Sequence, residues 1–252
     1  MNIRRASRNA MLLAAVLCDI TGASGGPVVF AQLRYAGSWD PYPGVFADIA
    51  AVLTMTTSVN PSPERRVLDA ESPEFRAQLA ETPFLIVLGS DEFAVPSRAV
   101  AALRDWLLAG GTLFVDDVSE RERSRFDTSL RSLMREMFPE YKLRRTTQES
   151  VIMKSFYLLR RVAGRVAVRD YIEYLEYEGR PAVIYSRNNM VACWARDRFG
   201  AFLYPCIPDG EPQRFVSQRL FLNVLMYSLC GTYKLDAVHQ PFIERRLRMR
   251  TW

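Results

Sequence analysis

Histidine occurs once in the 252 residues, at His239. A His-rich metal site is therefore excluded, since such sites gather several imidazoles on one ion. Any Ser-His-Asp or Cys-His arrangement has to use that one residue. It precedes Pro241 in a basic stretch, where a surface or packing role is the plainer reading. Cysteine is scarce too: Cys18, Cys193, Cys206 and Cys230, with no CxxC pair. Zinc and redox spacings are thus missing. Two readings of the cysteines stay open. They are buried thiols acting as small hydrophobes, or one disulfide, with Cys193–Cys206 the candidate, in an oxidising compartment.

Other signals are absent. Ser90 has no GxSxG pattern around it, the loop after the first strand does not match a Gly-rich phosphate-binding turn, and there is no internal repeat and no low-complexity tract. No apolar run approaches the roughly 20 residues that span a bilayer. Charge of one sign is not concentrated: 33 Lys and Arg face 28 Asp and Glu, for a net +5. The arginine clusters at Arg121/Arg123/Arg125, Arg144/Arg145, Arg160/Arg161 and Arg245/Arg246/Arg248/Arg250 are scattered along the chain. A nucleic-acid binder gathers such charge on one face with aromatics interleaved, so nucleic acid is not an expected partner. No cofactor and no metal are expected.

What is present describes a folded globular protein, with 49% hydrophobic and 24% charged residues. Arg4, Arg5 and Arg8 precede a short apolar run, Met11 to Leu17, and then the small residues Thr21 to Gly26. This is the three-part layout of a secretory signal, with cleavage after Ala23. Asp19 within it departs from the pattern. The expectation is an exported chain, periplasmic or envelope-associated; a basic leader on a cytoplasmic protein is the alternative. The expected organisation is a signal at 1–23, one α/β domain at 24–235 and a basic tail at 236–252.

Val28–Leu33 reads as a first strand. Val45–Thr56 carries Phe46, Ile49, Val52 and Leu53 at helical spacing. Arg66–Leu68 is a short strand, and Ser72-Pro73 opens a helix. Phe84–Gly89 is apolar on both faces, as in a central parallel strand. Pro96 to Leu108 is amphipathic and ends at Gly110-Gly111. Thr112–Val115 is a further strand ending in Asp116-Asp117, and Phe126–Phe138 is a helix. Alternating strands and helices predict right-handed crossovers and a parallel sheet. Val151–Leu158, Val166–Tyr174, Ala182–Tyr185 and Met190–Trp194 read as strands or extended loops. Phe215–Cys230 is a long helix ended by Gly231.

Several places can carry chemistry. Asp116 and Asp117 stand at the C-terminal edge of the sheet, where ligands bind in such folds; they can serve as acid and base or simply brace a loop. Ser90 follows a strand, as a hydrolase nucleophile does. The loop with Tyr35, Trp39 and Asp40 follows the first strand and is either a ligand loop or a packed structural one. The polar turn with Asn188, and then Arg196 and Asp197, is a candidate ligand or partner site or a set of surface pairs.

From Val28 to Phe242 these motifs resemble the bacterial domain-of-unknown-function family 4159. The resemblance rests on Phe30–Tyr35 with Trp39-Asp40, Pro83-Phe84-Leu85 leading to Gly89, and Gly110–Leu113 with Asp116-Asp117. It continues through Phe138-Pro139, Phe156–Leu159, Tyr185-Ser186 with Asn188, and Trp194–Gly200. It closes with Asn223, Tyr227, Gly231–Lys234, His239 and Pro241-Phe242. The resemblance implies a class I glutamine-amidotransferase-like fold. That is a flavodoxin-like parallel sheet flanked by helices, here with a strand-rich insertion in the C-terminal half. It also implies association with envelope gene sets encoding MoxR-type ATPases and von Willebrand A-type proteins. An amidotransferase needs a nucleophilic Cys and a downstream His; Ser90 stands near the Cys position, and no matching His is evident. Relatives often carry an Asp-His pair before the Phe-Tyr motif, where this chain has Gln148-Glu149-Ser150. The expected function is thus a non-catalytic binding or scaffold domain with a protein partner. A hydrolase using Asp116 and Asp117, with Ser90 as an auxiliary, is the alternative.

Overall fold

The strand β1 (Val28–Arg34) is β-branched and apolar, and its middle residues are fully buried. It pairs in parallel with β2 (Pro61–Asp69) on one side and β3 (Phe84–Gly89) on the other. Between β1 and β2 runs α1 (Val45–Thr56), which buries Val45, Phe46, Ile49 and Leu53 on one stripe. The computed structural model describes residues 27–57 and 59–248, those from 230 onward as backbone only. The expected signal at 1–23, with Cys18, lies outside the described residues.

Beyond β2 come α2 (Phe75–Ala80), β3, α3 (Ser97–Leu108), β4 (Thr112–Asp117) and α4 (Arg125–Met137). All six residues of β3 and of β4 are buried, as their apolar composition predicts. Full burial of one Leu, Ile or Phe side chain stabilises by about 1.5–3 kcal/mol, so these two strands anchor the core. Trp106 of α3 donates its indole N–H to the Thr82 carbonyl at 2.7 Å. A Cβ on Gly111 would stand 2.1 Å from the Trp106 ring, so only glycine lets the chain turn there into β4. Ser124 caps α4, accepting the Asp127 N–H at 3.2 Å.

The remaining strands are β5 (Arg144–Arg145), β6 (Glu173–Tyr177) and β7 (Arg180–Ser186). Glu178 and Gly179 both have positive φ, the mark of the tight turn that joins β6 to β7. The sheet order is β2-β1-β3-β4-β7-β6-β5. The first five strands pair in parallel, and β6 joins both β7 and β5 by antiparallel pairing. This is a flavodoxin-like α/β sheet. Helices α2, α3 and α4 cover one face. Helix α1 and the long α5 (Glu211–Arg248) cover the other.

Three expected extended segments are not strands. Val151–Met153 and Val191–Trp194 are short 3-10 helices, and Val166–Tyr174 is irregular until β6 begins at Glu173. Their apolar residues are buried because loops pack onto the α5 face, not because the backbone pairs. A buried loop needs other partners for its peptide groups, and amide side chains supply them. Asn223 of α5 donates to the Ile152 and Tyr157 carbonyls at 2.9 and 2.8 Å, and accepts the Phe156 and Tyr157 N–H groups. Gln213 donates to the carbonyls of Gly164, Arg165 and Ile207. The expected end of the last helix at Gly231 is also corrected: the helix continues to Arg248, through the stretch read as a tail. One glycine costs a helix interior only about 1 kcal/mol. Strand β2 is three times the expected three residues, because pairing along β1 extends it through polar, exposed positions that carry no apolar pattern. No described helix is long and apolar enough to cross a membrane.

Candidate functional site

The chain reverses direction across the sheet between β1 and β3, where open α/β sheets place their ligand crevice. Here aromatic side chains fill that position. The Tyr35 hydroxyl donates to the Leu88 carbonyl at 2.7 Å. Its ring packs tilted against Phe93, which packs tilted against Phe126, at centroid distances of 5.0 and 4.7 Å. A Cβ on Gly89 would meet the Tyr35 oxygen at 2.2 Å, so the glycine exists to admit this plug. Burial pushes the Tyr35 hydroxyl above its ordinary range. Ser90, one residue on, is exposed, and no histidine stands among the described side chains.

Trp39 and Asp40 are engaged within the fold. Arg65 of β2 holds both Asp40 oxygens and the Gln32 amide oxygen, and its guanidinium lies over the Trp39 ring at 5.4 Å. The buried Gln32 amide donates to the Trp39 carbonyl at 2.7 Å. This bidentate, stacked arrangement is one that Arg makes and Lys does not. It fixes the loop that follows β1 against the edge strand.

Asp116 and Asp117 are adjacent on β4, and the pleat sends consecutive side chains to opposite faces. Both are fully buried. Asp117 points toward α4. It accepts the Ser119 N–H at 2.9 Å and faces the Arg187 guanidinium at 3.9 Å. Arg187 also lies 3.8 Å from Asp127 and donates to the Glu122 carbonyl at 2.6 Å. Asp127 accepts from Arg131 at 2.9 Å and from the Tyr185 hydroxyl at 3.0 Å, and Arg131 bonds Glu173 at 2.6 Å. The result is an ion network on the α4 side, in which Asp117 Oδ2 and Arg187 Nε are themselves buried without a hydrogen-bond partner.

Asp116 points to the α5 side and meets no cation. Its Oδ2 accepts the Val191 N–H at 2.9 Å, while Oδ1 is buried without a partner. Desolvation pushes its carboxyl up to about 7, against the lowering pull of the Val191 amide, the Ser186 hydroxyl and the Met190 amide; Asp117 adds to the rise. Beside it, the Asn189 amide nitrogen donates to the Tyr42 hydroxyl at 2.8 Å and to Glu120 at 2.6 Å. Glu120 forms an ion pair with Arg165, whose guanidinium faces the Tyr204 ring at 5.6 Å. Tyr204 packs edge-on to Tyr42 at 5.5 Å. Asn189 Oδ1 and Arg165 Nε are buried without partners as well. Burial, then the nearby Asp116 and Glu120 charges, holds the Tyr42 hydroxyl above its ordinary range. Glu120 and Asn189 both sit at positive φ, 59° and 53°. Asn tolerates that conformation and Glu does so rarely, so the position of Glu120 is held at some cost in strain.

Asn188 is fully buried and clips a loop: it accepts the Arg169 N–H and donates to the Arg169 carbonyl, both at 2.8 Å. Arg196 and Asp197 do not pair with each other. Arg196 donates to the Gly200 carbonyl at 2.6 Å and stacks on Phe202 at 3.9 Å. Asp197 accepts the Phe199 and Ala201 N–H groups and shapes the turn. An open groove of about 320 Å³ lies on the other side, between the loop at 92–95 and α4, apart from the Asp116 cluster. Among the described residues, no three His, Cys, Asp or Glu side chains come together to hold a metal ion.

The structure thus gathers Asp116 with Tyr42, Glu120, Arg165 and Asn189. It does not bring Ser90, Trp39, Asp40, Arg196 or Asp197 to that cluster. Of the four companions, Asn189 lies in the polar turn that the sequence marks as a candidate; Tyr42, Glu120 and Arg165 come from three other loops and carried no signal. The family model for a domain of unknown function, DUF4159, matches residues 29–229. The chain belongs to the DUF4159 family. No curated protein matches it. The DUF4159 match includes every strand end and loop that builds the Asp116 cluster.

Proposed function

We propose that this DUF4159 chain is a non-catalytic binding domain of the bacterial envelope, taking a ligand or protein partner at the C-terminal edge of its sheet. The observation that carries this reading is the Asp116 cluster. Three buried polar atoms, Asp116 Oδ1, Asn189 Oδ1 and Arg165 Nε, stand there without partners. Native proteins leave few such groups unsatisfied, and each calls for a reason. The surrounding side chains are pinned to one another, so the atoms are presented on a rigid frame. A catalytic set is not assembled around them. The two aspartates face opposite sides of the sheet, and Ser90 stands exposed, with no histidine among the described side chains.

Export is part of the same proposal and rests on the signal-like leader of residues 1–23. The association with envelope gene sets that the family resemblance implies points to MoxR-type ATPases and von Willebrand A-type proteins as the partners. The test is affinity purification of the tagged chain from its native host, with mass spectrometry of co-purifying proteins and of its own N-terminus. The expected result is enrichment of such partners and a start at Ser24, with capture lost in Asp116→Asn. A full-length chain that captures nothing would overturn both export and scaffold.

One observation favours a second reading. A carboxyl held near 7 is suited to general acid–base work, so Asp116 can serve a hydrolase. A panel of ester, amide and glycan substrates separates the two. Turnover that disappears in Asp116→Asn would replace the binding reading.

A further inference from the structure

Two nucleophilic side chains take no part in the Asp116 cluster. Cys193 closes a 3-10 turn and Cys206 lies at the end of the loop that follows it. Both thiols are free, both are buried, and their sulfurs are 3.6 Å apart. A disulfide bond is about 2.05 Å long, so closing it requires the sulfurs to approach by roughly 1.5 Å. The chain between them is already held in register. Arg196 and Phe202 form an antiparallel bridge, and the Leu203 N–H donates to the Ala195 carbonyl at 3.0 Å. Arg214 of α5, 1% exposed, donates to the carbonyls of Cys193 and Tyr204 at 3.2 and 2.6 Å. The two cysteines therefore sit at the base of a clamped loop whose tip exposes Phe199.

We propose that Cys193 and Cys206 form a thiol–disulfide switch, oxidised by exchange with a small-molecule or protein disulfide, that locks residues 193–206 against the start of α5. Cys206 is the first to react. It is 5% exposed where Cys193 is 0%, and exposed Pro205 and Ile207 flank it. The Cys193 thiol stands within hydrogen-bonding reach, able to donate to a Cys206 thiolate, and Arg214 adds positive charge, both of which favour that thiolate. That thiolate attacks one sulfur of the incoming disulfide. The oxidant's S–S bond breaks, one of its thiolates leaves and takes up the Cys206 proton, and a mixed disulfide remains. Cys193 then gives up its proton and attacks the Cys206 sulfur. The mixed bond breaks, and the second oxidant thiol departs carrying that proton. Two electrons pass from the cysteine pair to the oxidant, and one protein disulfide and two small thiols result. The locked loop carries Tyr204, and the Ile207 N–H beside Cys206 bonds the Arg165 carbonyl at 2.8 Å. Oxidation thereby fixes one wall of the Asp116 cluster, although the switch chemistry stands whether or not that cluster binds anything.

The test equilibrates the folded full-length chain in glutathione buffers of varied ratio, quenches by alkylation, and maps tryptic peptides under non-reducing conditions. Cleavage after Arg187, Arg196, Arg198 and Arg214 places Cys193 in peptide 188–196 and Cys206 in peptide 199–214. Cys18 and Cys230 fall on other peptides. The expected result is a 188–196/199–214 cross-link that grows with the oxidised fraction. A Tm roughly 5–10 °C higher for the oxidised chain should accompany it. Cys193→Ser, or Cys193→Ala if the serine chain does not fold, should stop with glutathione on Cys206. The proposal is overturned if both cysteines stay alkylatable at every ratio. It is equally overturned if the wild-type chain stops with glutathione on Cys206.

Discussion

On the α4 side of the sheet, the buried Asp117 and Glu173 and the half-buried Asp127 are interleaved with Arg187 and Arg131. On the α5 side, one peptide bond away, Asp116 is equally buried and has one backbone amide, no cation and an idle oxygen. The covalent chemistry of the two aspartates is identical. The difference is what the two faces supply. Arg187, just past the end of β7, faces Asp117, and Arg131 of α4 pairs with Asp127 and Glu173. The loops under α5 bring amides and a neutral Tyr42. The lesson is that a paired-carboxylate motif on a strand is not a paired-carboxylate site. The pleat separates the two, and one becomes structure while the other is left poised.

That contrast can be broken from the structural side first. Arg187→Ala leaves the buried Asp117 without its cation and Asp127 with Arg131 alone, and should destabilise by about 3–5 kcal/mol, read by urea unfolding at pH 7. Asp116→Asn should act in the opposite direction. The Asp116 carboxyl is raised from its ordinary 3.8 to about 7 in the folded chain. Folding therefore holds a proton that the unfolded chain releases above about pH 4. Stability from this group is full below that pH, is lost as pH rises toward 7, and stays lost above it. The Asn variant should accordingly match the wild type near pH 4. At pH 8 it should exceed it by on the order of 2–4 kcal/mol, seen as a flatter Tm profile. An Asn variant less stable at pH 8 would refute the neutral, cation-free account of Asp116.

Smaller effects sharpen the picture. Gly89→Ala forces the Tyr35–Phe126 plug apart and should cost about 1–3 kcal/mol, measured by thermal unfolding. A neutral result would show that the crevice between β1 and β3 can open. Arg161→Ala removes a pair with Asp209 at 2.7 Å in which both partners are about half exposed. It should shift stability by no more than about 0.5 kcal/mol. A larger loss would mean that surface pairs here rival the buried network.

Much of the sheet was legible in the chain. Phe84–Gly89 and Thr112–Asp117 announce themselves as central strands because burial on both faces demands unbroken apolar runs. The amphipathic stripe of α3 and its Gly110-Gly111 stop are equally readable. The stretch from 141 to 210 was not. Its apolar residues look like strand residues, yet they are buried in loops whose peptide groups are satisfied by Asn188, Gln213 and Asn223. An amide that serves as a backbone partner has no spacing rule. Trp39 and Asp40 were visible as candidates, but their clamp depends on Arg65, on a neighbouring strand.

By itself, the sequence determined the class of fold and the position of Asp116 and Asp117 at the edge where ligands bind. Those follow from local periodicity and the handedness of strand crossovers, which act within tens of residues. Only the tertiary structure decided that the crevice between β1 and β3 is filled by Tyr35, that the aspartates part company, and that Asp116 joins Tyr42, Glu120, Arg165 and Asn189. Those depend on contacts between residues up to 147 positions apart in the chain, as in the Asn189–Tyr42 hydrogen bond. At such separations the side-chain environment is set by which loops the fold stacks together, and the local pattern carries no record of it.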